Sequence, residues 1–395
     1  MGRLLLLTPA ELTRDPRARR AAATAQARGW QVVGLSGTFA VGDEPVELAG
    51  VSVTRLKRGR RTDRLRRTAM GALASSRERG LLARELRGLY QLLRLVSQSL
   101  LFIRAGRTLG RFDVVHANDL DTLPAAWALS RRAGTRLVYD AHELYTESEP
   151  DPPRLHRAVL GVLELLLAKR ASAVVTVSDD IADELVARRR LRTRPTVVLN
   201  CPARVDGLVL ARHEPPLRAI YQAGAGFGRR LEDLLDAAAV APDRVHITLR
   251  VTRVDLDGLR DEVTRRRLAD RVTVADPVSP EHLVEELANF DVGIVIDRPV
   301  ALNNALGFPN KLFEYLMAGL AVVVPNLPTM GSFVEREGVG LVFEAGRPES
   351  LAEALNQLAA DRQQLFAFRE RARAAALDRY NAEVQGETLA RVWGA

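Results

Sequence analysis

The feature that most constrains this chain is a rhythm that occurs twice: short apolar runs rich in β-branched residues, separated by segments of helical length. In the first half, "RLLLLT" (3–8), "WQVVGLS" (30–36), "DVVHA" (113–117), "RLVYDA" (136–141), "AVVTVS" (173–178) and "PTVVLN" (195–200) have the length and composition of buried strands. Their alternation with helical segments predicts βαβ units on a parallel sheet, covered by helices on both faces. The rhythm then restarts with "RAIYQAG" (218–224), "VHITLRV" (245–251), "RVTVA" (271–275), "DVGIVID" (291–297), "LAVVVP" (320–325) and "VGLVFE" (339–344). A chain of 395 residues suits two such domains. The first is expected over 1–200 and the second over 217–378, joined by the Pro-containing stretch 201–216. The last helix, within 379–395, is free to pack back on the first domain.

Composition excludes several classes. No apolar run reaches the roughly 20 residues of a membrane-spanning helix, and "MGRLLLLTPAE" is too short in its apolar part for a secretory signal. A single cysteine, Cys201, rules out an intramolecular disulfide and reads as structural. A cytoplasmic protein is expected. Between Arg55 and Arg111, 16 basic residues face three acidic ones, a patch suited to a polyanion or an anionic membrane surface. The segment 81–104 carries Leu82, Leu86, Leu89, Leu93, Val96, Leu100 and Ile103 at alternating steps of four and three, a heptad seam. It fits a helix covering the first sheet, a partner helix, or a helix lying on a membrane. Nucleic acid is disfavoured, because Tyr90 is the one aromatic residue between Arg55 and Leu101.

Ligands of open α/β sheets bind at the carboxyl ends of strands. "YQAGAGFGRRLEDLL" sits at such an end: Gly224, Gly226 and Gly228, then Arg229 and Arg230, then a helix. Glycines let backbone amides approach a phosphate, a helix start favours an anion, and arginine donates paired hydrogen bonds. "FPNKLFEYLMAGLAVVV" supplies a second contact, with Asn310 as a helix cap, Lys311 for a phosphate and Glu314 for the two hydroxyls of a ribose. Lys311, Glu314 and Tyr315 share one helical face. Together they suggest a nucleotide diphosphate.

With "DVVHANDLDTLPAAW" and "LVYDAHELYTE" in the first half, these motifs make the chain resemble the retaining glycosyltransferases of family 4. That resemblance covers nearly the whole chain. It implies an α/β GT-B architecture, two Rossmann-like parallel-sheet domains facing a central cleft, with the nucleotide sugar bound by the second domain and the acceptor by the first. It implies a glycosyltransferase that uses a UDP- or GDP-linked sugar, retains anomeric configuration and needs neither metal nor other cofactor. The acceptor would be a glycan, a lipid-linked molecule or a small molecule. Carried over by position, Glu314 holds the ribose, while Arg229, Arg230, Lys311, Asn310 and Gly224 hold the diphosphate. His116, Asp119, His142 and Glu143 are catalytic candidates. The family's further glutamate is replaced by Leu306, so Asn303, Asn304 or Asn118 is expected to hold the donor sugar, and Arg14, Arg17 and Glu147 the acceptor. The "DLD" triplets, Asp119–Asp121 and Asp255–Asp257, read as chance pairs of acids rather than a metal site. The alternative is a catalytically weak, membrane- or partner-binding member of a glycan assembly machine; a nucleotide-sugar epimerase is a third reading.

Overall fold

The computed structural model describes residues 2–12, 15–37, 46–48, 50–56, 81–224, 230–252 and 254–394. The chain divides into two compact units, one of Met1–Val198 with Gly386–Ala395 and one of Leu199–Gln385.

The first unit holds an eight-stranded sheet in the order β3-β4-β2-β1-β5-β6-β7-β8. Its strands are β1 (Arg3–Thr8), β2 (Gln31–Ser36), β3 (Val46–Leu48), β4 (Val51–Arg55), β5 (Val114–Asn118), β6 (Arg136–Asp140), β7 (Ala173–Thr176) and β8 (Thr196–Val197). All pairings are parallel except β3 with β4. The hairpin β3–β4 was not expected from the sequence, although "VSVTR" carries the period-2 alternation of a strand with one wet face. Central strands are dry on both sides: Leu4, Leu5, Leu6 and Leu7 of β1 are all fully buried.

The second unit holds a six-stranded, wholly parallel sheet in the order β11-β10-β9-β12-β13-β14. Its strands are β9 (Leu217–Gly224), β10 (Val245–Thr252), β11 (Val272–Ala275), β12 (Val292–Ile294), β13 (Ala321–Pro325) and β14 (Gly340–Phe343). One face packs against Leu234, Leu259 and Leu355, and the other against Leu312, Phe313, Leu316 and Phe333, so the central strands are covered on both sides.

The stretch 201–216 has no regular secondary structure, yet it is bonded into the second unit. Arg369 donates to the carbonyl of Ala211 at 2.7 Å, Ala382 N–H donates to Pro202 at 2.7 Å, and Cys201 is fully buried. The last helix, Ala382–Trp393, ends inside the first unit. There Trp393 is 1% exposed, meets Trp30 at a tilt of 57° with ring centroids 6.5 Å apart, and donates its indole N–H to His116 Nδ1 at 3.1 Å.

All three tryptophans (Trp30, Trp127 and Trp393) lie in the first unit, so their fluorescence reports on it alone. Trp393→Ala empties a large core site and strips His116 of its donor, at a cost of about 3–5 kcal/mol. The expected result is a urea midpoint for the remaining tryptophan signal well below that of the native chain. An unchanged midpoint would show that the last helix adds nothing to the first unit's stability.

Candidate functional site

In the second unit the chemistry gathers where β9 ends. The helix Asn310–Ala318 begins after Pro309, whose extended ψ of 140° makes it the N-cap, with no side chain capping the first turn. Asn310 is therefore the first helical residue, not the cap expected from the sequence. Proline has no N–H and a fixed φ, so it enters the helix from outside while its carbonyl accepts from Leu312 N–H at 3.1 Å. The first-turn amides carry the positive end of the helix dipole.

Three side chains of that helix reach the end of β9. Lys311 is 6% exposed and places Nζ 4.5 Å from the centre of the Tyr221 ring. Glu314, half-buried, accepts from Gln222 Nε2 at 3.3 Å. The buried Tyr315 hydroxyl accepts the Gln222 amide at 2.9 Å and donates to the Ile294 carbonyl at 3.3 Å. This last pair fixes the helix on β9 and β12 at once. Gly293 makes the approach possible, since a Cβ there would lie 2.3 Å from the Tyr315 ring. The expected grouping of Lys311, Glu314 and Tyr315 on one face is thus seen, and its target is a strand end.

Of the glycine-rich turn, Gly224 is the last residue of β9, while Gly226, Gly228 and Arg229 lie outside the described residues. Arg230 is exposed, at the N-cap of Leu231–Val240, with Nε 3.9 Å from Glu232. Asn303 and Asn304 are half-buried on the short helix Leu302–Leu306, just upstream of Pro309.

Two second-unit residues escaped the sequence reading. Arg298 grips Asp233, in the first turn of Leu231–Val240, with Nε at 3.0 Å and Nη2 at 2.8 Å, tying the segment after β12 to that turn. Arg250 stands in register with Gln222 on the adjoining strand, 7% exposed. Its Nη2 lies 3.7 Å from Glu286, and its Nε and Nη1 make no hydrogen bond among the described residues. Burial lowers its pKa. A lone arginine inside the apolar run "VHITLRV" was the available signal.

In the first unit the candidates fall into two layers. The inner layer is structural. Asp140, fully buried at the end of β6, receives Arg17 through Nε and Nη2, both at 2.6 Å, and Arg17 Nη1 donates to the Val198 carbonyl at 2.9 Å. Burial alone would raise the Asp140 carboxyl; the Arg17 guanidinium, helped by His116, outweighs it and holds the pKa well below the usual carboxylate range. His116 is 0% exposed, its Nε2 3.4 Å from Asp140 and its Nδ1 occupied by Trp393. Neither Arg17 nor His116 presents a group to a substrate, contrary to expectation: both are pulled inward by a carboxylate that burial would otherwise leave uncompensated. Asn118 is likewise buried, donating to the Leu7 carbonyl at 3.0 Å. Arg14 lies outside the described residues.

The outer layer sits past the ends of β5 and β6. Asp119 takes the left-handed conformation, φ 62°, which aspartate tolerates better than most residues. Its amide donates to the Asp140 carbonyl at 2.9 Å, and its carboxylate lies 3.0 Å from His142 Nε2. The pair is partly exposed, 19% for the His142 side chain and 16% for Asp119. Asp121 accepts from the Tyr145 hydroxyl at 2.7 Å, so the two acids of "DLD" have separate partners. Glu143 is exposed, whereas Glu147 is engaged by Arg157 at 2.5 Å and Arg188 at 3.2 Å.

Residues 15–202 match the family model described as a glycosyl transferase 4-like domain, and residues 227–361 match glycosyl transferases group 1. The chain belongs to the group 1, family 4-like glycosyltransferases. Its GT-B architecture recurs in solved structures of low sequence identity. Sucrose-phosphate synthase from Thermosynechococcus elongatus is 15% identical with a TM-score of 0.71, covering 100% of this chain and 98% of that one. HepE from Anabaena in complex with UDP is 16% identical with a TM-score of 0.70 and full coverage of both chains. A mutant of TarM from S. aureus, in complex with fondaparinux, alpha-GlcNAc-glycerol and UDP, is 8% identical with a TM-score of 0.70 and full coverage of both. At these identities the likeness is one of fold. No curated protein sequence matches this glycosyltransferase.

The Asp119–His142 pair gives a direct electrostatic test. Burial opposes charge on the ring, but the Asp119 carboxylate and its hydrogen bond outweigh burial and raise His142 from the usual 6.5 to about 9. The raised pKa means that the pair's stabilisation is complete below pH 6.5 and is lost as pH rises through about 9. NMR titration should find His142 protonated at neutral pH, with Asp119→Asn lowering its midpoint. A native midpoint at or below 6.5 would remove the ion pair from the account.

Proposed function

We propose that this glycosyltransferase moves a sugar from a UDP- or GDP-linked donor to an acceptor hydroxyl, with the second unit holding the donor. The observation that carries this reading is the start of the helix Asn310–Ala318: a first turn with no side-chain cap, the nearly buried cation Lys311, and Glu314 set beside Gln222 at the end of β9. A diphosphate needs the first two, and a ribose diol needs a fixed carboxylate. The complexes of HepE with UDP and with UDP-glucose, and of TarM with UDP, support the same ligand class.

In the proposed reaction the bond from the anomeric carbon to the diphosphate oxygen breaks and its electron pair stays on that oxygen. Lys311, Arg230, Arg229 and the helix amides offset the growing negative charge, so no metal is invoked. The acceptor oxygen forms the new bond to the anomeric carbon, and its proton goes to the departing phosphate. Retention of configuration rests on the family resemblance. Arg250, in register with Gln222 and with Nε and Nη1 making no hydrogen bond among the described residues, is assigned to oxygens of the bound nucleotide. In the first unit, Asp119 and protonated His142 are the groups assigned to sugar hydroxyls. His142 serves there as a hydrogen-bond donor; its raised pKa makes it a poor base at neutral pH.

Free nucleoside diphosphate, released from a panel of UDP- and GDP-sugars, can be followed by mass spectrometry with lipid extract and glycans as acceptors. Removing either charged contact costs about 1.5–3 kcal/mol, so Glu314→Ala and Lys311→Ala should each lower kcat/KM by about 10- to 100-fold. Lys311→Ala should act mainly on kcat, because leaving-group charge develops in the transition state. Nucleotide binding without release from any donor would favour the weakly catalytic, partner-binding alternative. Donor conversion without an acceptor would favour the epimerase.

A further inference from the structure

The heptad seam of the helix Leu81–Thr108 does not cover the sheet. Its buried side is Gly88, Leu95, Gln98, Ser99, Phe102 and Gly106. Gly106 lies against Leu129, and Gly88 against Pro153 and His156 at the start of the helix Arg154–Ala168. The seam itself, Leu86, Leu89, Leu93, Val96 and Leu100, faces solvent. The neighbouring helix repeats the pattern with Leu155, Val159, Val162 and Leu166, and these nine side chains are between 41% and 62% exposed. Isolated exposed leucines need no explanation, but two packed helices that each expose an apolar stripe do.

The charges on these two helices are mainly basic. The helix Leu81–Thr108 carries five arginines and a single acid, Glu85. Glu85 is turned onto its neighbour, where its carboxylate accepts the amides of Arg154 at 2.8 Å and Leu155 at 3.1 Å, capping the second helix. The only acid of Arg154–Ala168, Glu164, is 1% exposed and held by Tyr139 at 2.7 Å and Arg189 at 2.6 Å. Both acids are thus withdrawn, one to fix the helix pair and one into the core. Arg84 and Arg87 pair with Asp151 and Glu149 of the preceding loop; Arg104, Arg107, Arg154 and Arg170 are exposed. One turn beyond Leu166, a cavity of about 410 Å³ is lined by Lys169, Arg190, Arg192 and Arg194. Arg194 is paired with Asp179 and Asp183, which leaves Lys169, Arg190 and Arg192 facing the cavity as uncompensated cations among the described residues.

We propose that the exposed face of Leu81–Thr108 and Arg154–Ala168 is a docking surface for an anionic phospholipid bilayer. The two apolar stripes enter the acyl boundary, and the cavity lined by Lys169, Arg190 and Arg192 receives a phosphate headgroup. Apolar side chains flanked by an excess of cations, with Asp151 and Glu149 offset by Arg84 and Arg87, match an anionic interface in both hydrophobicity and charge, whereas a second copy would bring like charges together. Among the described residues no helix is long and apolar enough to cross a membrane, so the contact lies on the surface.

Flotation of the full chain with phosphatidylcholine vesicles, with and without phosphatidylglycerol, tests this without reference to catalysis. The expected result is binding to the anionic vesicles alone, weakened by salt. Paired Leu93→Glu and Val162→Glu should reduce partitioning by about 100-fold, while Lys169→Glu with Arg192→Glu should reduce it by about 10-fold or more. All four sites are at the surface, and circular dichroism of the variants checks their folding. Binding that ignores phosphatidylglycerol, or that survives the apolar substitutions, would overturn the proposal. So would a dimer by light scattering that Leu93→Glu and Val162→Glu dissociate, which would give the face to a second copy. Vesicle binding with no glycosyl transfer would leave this surface standing while refuting the proposed function.

Discussion

A parallel strand buried on both faces has no wet side, and this constraint governs everything else in the chain. Helices must cover each sheet above and below, so side chains in mid-strand are committed to packing. Polar chemistry is then confined to the carboxyl edge, where strands give way to loops and helix starts. Asp119 and His142 stand there in the first unit, and Gln222, Lys311 and Glu314 in the second. His116, two residues short of the end of β5, falls on the wrong side of that boundary and is fully buried.

Where charge does enter the interior, it comes in compensated sets. Arg17 and Asp140 meet through two hydrogen bonds of 2.6 Å, and the third guanidinium contact goes to Val198, near the chain's exit from the first unit. The second unit has a counterpart in Asp291, fully buried, which accepts from Arg369 at 3.0 Å and the Arg218 amide at 3.0 Å and meets His213 at 3.0 Å. Arg369 also bonds the carbonyls of Gly319 and Ala211. Each set joins segments far apart in sequence. Losing one partner would leave a buried charge uncompensated, which costs more than the pair itself contributes. Arg250 is less fully matched: its Nε and Nη1, which make no hydrogen bond among the described residues, stand at the edge assigned to the donor.

Much of the fold was legible because parallel strands and their helices announce themselves by apolar runs of characteristic length. The short hairpin β3–β4 was missed, being an edge element with little apolar content. The helix face of Lys311, Glu314 and Tyr315 was readable because three- and four-residue spacing fixes a face regardless of context. What that face meets was not, since Gln222 and Ile294 are distant in sequence. The heptad seam was readable as a seam, but its exposure was not. Periodicity marks an apolar stripe without saying what covers it.

The sequence by itself determined the two α/β domains, the order of their strands along the chain, and the motifs that place this protein among glycosyltransferases. These follow from local spacing and composition, which do not depend on distant contacts. Only the tertiary structure decided which polar residues face inward. It paired Arg17 with Asp140, closed His116 beneath Trp393 from the far end of the chain, and left His142 with Asp119 at the surface. The Arg17–Asp140 and Trp393–His116 contacts join segments more than a hundred residues apart, and no local pattern encodes them.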